Sequence, residues 1–439
     1  MSAASKAKRV CPDAMVSVYT EEPYISYSAC SLPYFAKNLI TEESQLIART
    51  PDQMKVRGVD VYTNCRVTAI HRDTKSITIE NKDGHREDVN YDRLVIATGS
   101  KNIVPNIPNA KAKGVFTVKG IPDIHTIRAY IADNGCRKAV IIGGGFIGLE
   151  MADALFCLGM KTTVIEKAPQ IMSILDEDIA GHISDYLVHS GLNIHCNTGV
   201  DGIVTDDNGK VCAVHTETGD FDADIVIMAI GLYADTQIAA EAGIELGFKK
   251  AIRVNERMET NIPNIYAAGD CAATKNLVTG QETWICLGTV ANRNGKVAGE
   301  NAAGGNAAYE GQIGTTVFKL LNKEAAKTGL SMREAKLAGI DAWDTVINSN
   351  TRASGYPGRG SIIVKLVVER DTNRLIGGQI FGDDGSAKRI DAIAAYVQLK
   401  QNVHSLAKLD MGYAPPFSPV WDPVLVAAAQ AASKSYQIR

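Results

Sequence analysis

The chain has 439 residues, a length that suggests about three domains. Hydrophobic residues make up 45% and charged residues 22%, which is typical of a folded globular protein and excludes a disordered, collagen-like or low-complexity chain. Lysine and arginine number 46 against 49 aspartates and glutamates, so the net charge is −3, and no basic stripe points to a nucleic-acid partner.

The sequence shows no signal for a membrane segment or a disulfide framework. No run approaches the roughly 18 consecutive apolar residues of a membrane-spanning helix, and the Ser/Ala/Lys-rich start is not a signal peptide. The nine cysteines are too few for a disulfide scaffold and form no CxxC or Cys/His cluster that could bind a metal. We therefore expect a cytoplasmic protein with no membrane partner and mostly reduced thiols.

The first elements are a predicted helix over Ser2–Val10 and a predicted strand over Met15–Tyr19, followed by Cys30. Cys30 lies where a helix is predicted to begin and run towards Leu39, and a thiolate near a helix N-terminus has a lowered pKa. The pattern alone leaves two interpretations open, a redox nucleophile or an inert thiol. Inert packing is the prediction for three other cysteines: Cys157, Cys212 and Cys271.

A dinucleotide-binding motif lies in the middle of the chain. The apolar run Lys138–Ile142 predicts a buried parallel strand that leads into the GxGxxG sequence Gly143–Gly148. A predicted helix over 147–159 and a strand over Lys161–Ile165 follow, and the strand ends at Glu166, 18 residues after the last glycine. The glycines permit a tight turn, approach of a pyrophosphate and close helix–strand packing, while the helix N-terminus offers N–H groups to phosphates. The complete unit predicts nucleotide binding rather than a plain glycine-rich turn.

Glu166 predicts a preference for NADH over NADPH. Its carboxylate would accept hydrogen bonds from the adenosine ribose and repel a 2′-phosphate. The adjacent Lys167 could weaken that preference, so NADPH stays open as the alternative.

Two further strand ends indicate a second nucleotide site. Leu94–Thr98 predicts a buried strand that closes on Gly99, and Thr260–Asp270 predicts another that ends in a Gly-Asp pair. An aspartate at the carboxyl end of a strand suits the hydroxyls of a sugar or ribityl chain, since the glycine permits close approach. Each segment by itself is also compatible with an ordinary strand-to-turn transition.

Together these segments resemble the flavin-dependent pyridine nucleotide–disulfide oxidoreductases, over essentially the whole chain. The similar segments are ATG at Ala97–Gly99, GGGFIGLE at Gly143–Glu150 and TNIPNIYAAGD at Thr260–Asp270.

Within that family, the chain resembles the branch with a single redox cysteine. ISYSACSLPYF at Ile25–Phe35 is similar to CoA-disulfide reductases, NADH oxidases and peroxidases, although the usual Asn-Cys-Gly reads Ala-Cys-Ser here. SGYPG at Ser354–Gly358 and YAPPFSP at Tyr413–Pro419 resemble the CoA-disulfide reductases in particular.

The resemblance implies FAD and NADH as cofactors and assigns residues to both. The residues implied for FAD are Thr98, Gly99, Gly269 and Asp270. Those implied for NADH, or NADPH, are Gly143, Gly145, Gly148, Glu150 and Glu166. The resemblance also implies that Cys30 cycles between a thiolate and either a mixed disulfide with CoA or a sulfenic acid.

The same resemblance implies substrate-binding groups and a homodimer. Tyr413 and Tyr356 would donate a proton or hydrogen bond from the C-terminal domain of a second subunit, so that the active site needs both subunits. The alternative for both tyrosines is a structural role in ordered turns. For Asn292 and Lys296, which match CoA contacts in the family, the alternative is a solvated helix face. The matching positions are Arg9, Ser26, Asn292 and Lys296.

The resemblance further predicts a strand and a glycine-rich FAD loop ahead of the helix Ser2–Val10. The position of the ribose-binding acid matches Thr20, with Glu21 next to it, and counting back from there places the loop just upstream of Met1. We expect the full coding sequence to include that loop, and FAD affinity depends on this expectation.

The predicted fold is α/β, with two Rossmann-like dinucleotide-binding domains and a C-terminal α+β dimerisation domain. From about Gly311 the predicted strands are Thr315–Leu321, Ile362–Val368 and Leu375–Phe381, and the predicted helices are Lys323–Leu337 and Ala387–Gln401. The predicted boundaries are 1–105 and 231–305 for the two parts of the FAD-binding domain, 106–230 for the NAD(P)H-binding domain and 311–439 for dimerisation.

Three functions are compatible with these observations. The first is an FAD-dependent NAD(P)H oxidoreductase that reduces CoA disulfide, or a related CoA-linked disulfide or persulfide. The second is an NADH oxidase or peroxidase that uses a Cys30 sulfenate. The third is a flavin-free NADH-binding protein. The two C-terminal tyrosine segments favour the first.

Overall fold

The first two thirds of the chain combine helices and parallel strands with small antiparallel sheets, and a larger antiparallel sheet follows. The computed structural model describes residues 1–438, and it confirms the predicted α/β class with a C-terminal α+β region. Among these residues no helix is both long and apolar enough to cross a bilayer.

Residues 1–105 contain short helices and three small sheets. The helices are α1 Ser2–Val10, α2 Leu32–Ala36 and α3 Pro51–Lys55. The strands are β1 Val16–Tyr19, β2 Ser26–Tyr27, β3 Ile47–Arg49, β4 Val59–Tyr62, β5 Cys65–His71, β6 Ser76–Asn81, β7 Arg86–Asn90, β8 Leu94–Ile96 and β9 Ser100–Asn102. β1 pairs in parallel with β4, β2 pairs with β3, and β5, β6 and β7 form an antiparallel sheet.

Residues 106–230 form a parallel sheet with helices against it. Its helices are α4 Ile121–Asn134, α5 Phe146–Cys157 and α6 Glu177–His189. Its strands are β10 Val115–Phe116, β11 Lys138–Ile142, β12 Lys161–Ile165, β13 Asn193–His195, β14 Val200–Thr205, β15 Val211–Thr216, β16 Gly219–Asp222 and β17 Ile225–Met228. The parallel order is β10-β17-β11-β12-β13, with β11 in the centre, and β14 to β16 form a separate antiparallel sheet. The structure confirms both strands predicted around the glycine motif, because buried parallel strands are continuous apolar runs.

Strands of residues 231–305 pair with strands of residues 1–105. Residues 231–305 contain α7 Gln237–Glu241, α8 Gly288–Ala302, β18 Leu232–Ala234, β19 Ile265–Ala267, β20 Thr274–Lys275 and β21 Glu282–Thr283. β19 pairs in parallel with β8, and β18 pairs with β9. The two strand ends predicted to form the second nucleotide site therefore lie side by side.

Helices α1 and α8 approach each other closely because α8 presents glycines to α1. A Cβ added to Gly299 would lie 2.1 Å from the carbonyl oxygen of Ala3, and one added to Gly295 would lie 3.3 Å from the Cβ of Ser2. A side chain at Gly299 would therefore push the two helices apart.

Gly299→Ala should lower the free energy of unfolding by about 1–3 kcal/mol, because the added methyl group overpacks this contact. Gly181 provides the control, since it lies inside α6 with open space around its Cα. Gly181→Ala should leave stability unchanged or raise it by about 0.5–1 kcal/mol through helix propensity. Urea unfolding measures both variants, and equal effects would contradict the packing argument.

The C-terminal region is one antiparallel sheet with helices on it. Its helices are α9 Met332–Leu337, α10 Ile390–Gln398, α11 Val403–Leu406 and α12 Pro423–Ile438. Its strands are β22 Thr316–Leu320, β23 Lys323–Gly329, β24 Ala342–Asn350, β25 Ser361–Glu369 and β26 Leu375–Gly382, in the order β22-β23-β26-β25-β24.

The helix predicted over Lys323–Leu337 is wrong in its first half. The segment KEAAKTG is the strand β23, and only the six residues of α9 are helical. β23 lies inside the sheet between β22 and β26, so ladder pairing on both edges outweighs the helix propensity of its Lys, Glu and Ala residues.

Candidate active site

The GxGxxG turn joins β11 to α5 with the geometry that its glycines predict. Gly143 has a φ of 108°, and a Cβ on it would lie 2.4 Å from the carbonyl oxygen of Ala229. A Cβ on Gly148 would lie 2.0 Å from the carbonyl oxygen of Gly143, so the third glycine is what lets the helix pack against the strand end. Gly145 has open space around it, which leaves the start of α5 accessible to a phosphate.

Glu166 follows β12 and is held against the glycine turn. Its Oε2 accepts a hydrogen bond from the backbone N–H of Gly144 at 2.6 Å, and its Oε1 accepts one from Ala168 at 2.7 Å. Each carboxylate oxygen keeps a further lone pair, so the side chain can still accept hydrogen bonds from ribose hydroxyls. The position suits the predicted role in nucleotide choice.

Glu166→Ala should reduce the ratio of kcat/KM with NADH to kcat/KM with NADPH by about tenfold, because the negative charge next to a 2′-phosphate is removed. Taking the ratio cancels any general loss from the broken contacts to the glycine turn. Glu217→Ala, at an exposed position of the same region, is the control and should leave the ratio unchanged. An unchanged ratio in Glu166→Ala would show that another group discriminates between the cofactors.

Cys30 lies in a 3₁₀ turn, Ala29–Ser31, that continues into α2. The residue is exposed, and its thiol lies near carboxylates from two distant segments, Glu150 of α5 and Asp270 beyond β19. Partial desolvation raises the pKa of the Cys30 thiol, and the charges of Glu150 and Asp270 raise it further. The sequence-based expectation of a lowered pKa is therefore wrong for the isolated chain.

Two of the three cysteines predicted to be inert packing are not buried. Cys271 is fully buried, as inert packing predicts. Cys157 and Cys212 are exposed instead of buried, and the Cys157 thiol donates a hydrogen bond to Asp153 Oδ1 at 3.2 Å. Cys212 lies on the exposed face of β15.

Glu150 belongs to a buried ionic network that sequence reasoning did not find. One turn after Glu150, Asp153 pairs with Lys37, with 3.0 Å between Nζ and Oδ2. Burial raises the pKa of the Glu150 carboxyl to about 7, the charge of Asp153 adds to the shift, and Lys37 opposes it. The spacing of Glu150 and Asp153 on α5 could have indicated two neighbouring acids. Nothing in the sequence indicated that Lys37 lies beside them, because that contact joins distant segments.

This pKa predicts a pH-dependent stability that depends on Glu150. Because the folded-state pKa is raised, the wild-type protein should lose stability as the pH rises from the ordinary value of 4.5 through about 7. Glu150→Gln lacks this titration. The difference in unfolding free energy between wild type and variant, measured in urea from pH 5 to 8, should therefore change by on the order of 2 kcal/mol in favour of the variant. A pH-independent difference would contradict the assigned pKa.

A polar chain surrounds Asp270. Ser100 Oγ donates to Asp270 Oδ2 at 3.1 Å and accepts from Lys119 Nζ at 3.0 Å, while the Trp284 indole donates to the Asp270 carbonyl at 2.6 Å. Gly269 has a φ of 80°. Lys119, Ser100 and Trp284 are far apart in sequence and carried no motif.

The residues predicted to contact FAD lie at the strand ends around this aspartate, and their contact with FAD stays a prediction. Gly99 has a φ of 74°, and Thr98 Oγ1 donates to the Asp235 carbonyl. Gly99 follows β8, and Gly269 and Asp270 follow its parallel partner β19, so the open backbone and the carboxylate at these strand ends would suit the ribityl and flavin end of FAD. Within residues 1–438, the GxGxxG sequence occurs at Gly143–Gly148.

The four residues predicted to contact CoA fall on three elements: Ser26 in β2, Arg9 at the end of α1, and Asn292 and Lys296 in α8. Asn292 Oδ1 accepts from Ser2 Oγ at 2.6 Å, so Asn292 lies beside the start of α1. Arg9 lies about two helical turns further along α1. Arg9, Asn292 and Lys296 are exposed. Their shared contact with one CoA molecule stays a prediction.

Tyr356 and Tyr413 lie on two loops of the C-terminal region that touch each other. The backbone N–H of Ala353 donates to the carbonyl of Pro415 at 3.3 Å. Both tyrosines are exposed. A cavity of 560 Å³ opens between the loops, lined by Thr351, Arg352, Tyr356, Pro357, Asp384, Gly385, Pro416 and Phe417.

Comparisons with known proteins agree with this arrangement. Residues 1–295 match the model of the family "Pyridine nucleotide-disulphide oxidoreductase", and residues 315–423 match the dimerisation domain of the same family. An NADH oxidase of Methanocaldococcus jannaschii is 37% identical over 99% of this chain and 96% of its own length. A CoA-dependent NAD(P)H sulfur oxidoreductase of Pyrococcus abyssi is 38% identical over 98% and 95%. The solved structure of reduced Bacillus anthracis CoADR-RHD superposes with a TM-score of 0.96 at 33% identity, covering 99% of this chain and 78% of that one.

Proposed function

The chain belongs to the pyridine nucleotide–disulphide oxidoreductase family, whose members use FAD and NAD(P)H, and on that premise we propose that it reduces a CoA-linked disulfide through Cys30. CoA disulfide is the proposed substrate, with a CoA persulfide as a related one. NADH is the proposed electron donor.

The observation that carries this proposal is the place of Cys30 between two cofactor regions. Its thiol lies near Glu150, two residues beyond the glycine turn for NADH, and near Asp270, at the strand ends that suit FAD. An exposed thiol at this junction is accessible to a substrate from outside. Bound FAD would supply the two-electron relay from NADH to the sulfur of Cys30.

The chemistry of Cys30 is thiol–disulfide exchange. Its thiolate attacks one sulfur of CoA disulfide, which forms a mixed disulfide and releases one CoA thiolate. Two electrons from NADH then reduce the mixed disulfide, and the second CoA leaves as Cys30 returns to the thiolate. Each released CoA thiolate takes up a proton. Desolvation and two carboxylates raise the Cys30 pKa, and a backbone hydrogen bond opposes this shift only in part, so the reacting thiolate needs further positive or dipolar stabilisation.

Tyr413 and Tyr356 are the proposed donors of hydrogen bonds or protons to the leaving CoA thiolate, from the second subunit of a homodimer. The match to the dimerisation domain supports this, and so does an apolar surface beside the tyrosines. Phe417 is 75% exposed, Trp421 69% and Val420 64% in the single chain, and a second copy would cover them. Arg9, Ser26, Asn292 and Lys296 remain the proposed contacts to CoA.

NADH oxidation by oxygen or peroxide through a Cys30 sulfenate is the second candidate. The name of the Methanocaldococcus relative favours it, and the single exposed thiol is compatible with it. Steady-state rates of the purified protein with NADH and either CoA disulfide, oxygen or hydrogen peroxide distinguish the two candidates.

Cys30→Ser should lower turnover of CoA disulfide by at least about 1000-fold, because a hydroxyl cannot undergo thiol–disulfide exchange. The variant should still transfer hydride from NADH to bound flavin. Cys212→Ser, which alters another exposed thiol, is the control and should keep turnover within about twofold. Mass spectrometry of the wild-type protein should find CoA or oxygen on Cys30 and not on Cys212.

Full CoA-disulfide turnover in flavin-loaded Cys30→Ser would refute the proposed function. Equal modification of Cys30 and Cys212 would indicate unspecific oxidation of exposed thiols instead of a redox site.

A further inference from the structure

The two tyrosine loops of the C-terminal region are joined by a buried ion pair. Arg389 precedes α10 and Asp422 precedes α12, and their side chains are only 8% and 6% exposed. Nε of Arg389 donates to Oδ2 of Asp422 at 2.8 Å. The pair therefore connects the starts of two helices beneath the loops.

The remaining donors of Arg389 reach both loops. Nη2 donates to the carbonyl of Thr351 at 2.9 Å and to the carbonyl of Phe417 at 2.7 Å. Thr351 begins the loop that carries Tyr356, and Phe417 follows the segment that carries Tyr413. One nitrogen thus fixes the two backbones relative to each other.

Asp422 accepts three hydrogen bonds in all. Its Oδ2 also accepts from Ser418 Oγ at 3.0 Å, and its Oδ1 accepts from the backbone N–H of Val424 at 2.9 Å. The carboxylate therefore holds the orientation of the guanidinium, ties the end of the Tyr413 segment and caps the first turn of α12.

A second arginine closes the Tyr356 loop on itself. Arg352 donates to the carbonyl of Gly358 at 2.8 Å and to Asp384 Oδ2 at 2.8 Å. The loop between Arg352 and Gly358 is thus a closed unit, and its position relative to Tyr413 depends on the contacts that join the two loops.

We propose that Arg389 and Asp422 are positioning residues that hold Tyr356 and Tyr413 at a fixed separation, so that both phenols face one CoA-linked substrate. This inference rests on the proposed function of the tyrosines. Arginine is required because its planar guanidinium donates to the carboxylate and to both loop carbonyls at once. A lysine has a single ammonium group and cannot keep this set of directions.

The test compares Arg389→Lys and Asp422→Asn with a matched control, Glu334→Gln. Glu334 also pairs with a largely buried cation, Lys327 at 2.7 Å, and also caps a helix, but it does not contact either tyrosine loop. Each flavin-loaded protein is assayed with NADH and CoA disulfide, and with NADH and ferricyanide. Binding of CoA disulfide is measured by calorimetry, and thermal unfolding reports on the fold.

Arg389→Lys and Asp422→Asn should lower kcat/KM for CoA disulfide and weaken its binding by about tenfold or more, because misplaced groups lose their effect steeply with distance. Ferricyanide reduction should stay within about twofold. The triple variant Arg389→Lys/Tyr356→Phe/Tyr413→Phe should be no slower than the double variant Tyr356→Phe/Tyr413→Phe, since Arg389 acts through both tyrosines. Glu334→Gln should leave CoA-disulfide turnover unchanged.

Two results would overturn the inference alone. One is a slow Tyr413→Phe protein together with normal turnover in Arg389→Lys. The other is an equal loss of turnover in Asp422→Asn and Glu334→Gln that follows their thermal stability, which would show a merely structural role. Normal turnover in Tyr413→Phe would overturn the proposed role of the tyrosines and the inference with it.

Discussion

The close approach of Gly148 to the carbonyl oxygen of Gly143 is the constraint on which the glycine turn and part of the surroundings of Cys30 depend. A Cβ at Gly148 would lie 2.0 Å from that oxygen, so any larger residue would push α5 away from the end of β11. With α5 held there, its N-terminus is open to a phosphate at Gly145. Glu150, two residues after Gly148, then lies beside Cys30. A single backbone approach therefore positions the nucleotide turn and a carboxylate next to the thiol.

The surroundings of Cys30 disfavour its thiolate, because partial desolvation raises the pKa of the thiol and two carboxylates raise it further. The 3₁₀ turn and the five-residue helix α2 present few aligned peptide dipoles, whereas Glu150 and Asp270 present two carboxylates. Lys37 is a cation close to Glu150, but its ion pair is with Asp153. Protonation of Glu150 near neutral pH would remove one of the two negative charges beside the thiol, so the state of Glu150 and that of Cys30 are coupled.

The C-terminal region presents the two tyrosine loops with a defined geometry. Its antiparallel sheet packs against α10 and α12, and the tyrosine loops extend from the ends of strands and helices. Arg352 and Arg389 order these loops by donating hydrogen bonds to their backbone carbonyls.

The sequence by itself determined the parts of this protein that depend on local pattern. The strands Lys138–Ile142 and Lys161–Ile165, the glycine turn and the acid at 166 follow from apolar runs, glycine spacing and chain direction, which act over a few residues. The family and its pair of cofactors also follow from these motifs, because nucleotide binding uses contiguous segments.

Only the tertiary structure decided the features that depend on residues far apart in the chain. The pKa of Cys30 depends on Glu150 and Asp270, which are 120 or more positions away, and the helix pattern at 323–329 became a strand because neighbours on both sides supply its ladder bonds. The clamp between Arg389 and the two tyrosine loops likewise has no sequence pattern. Electrostatic and hydrogen-bond energies depend on distance in space, and distance in space is set by the fold.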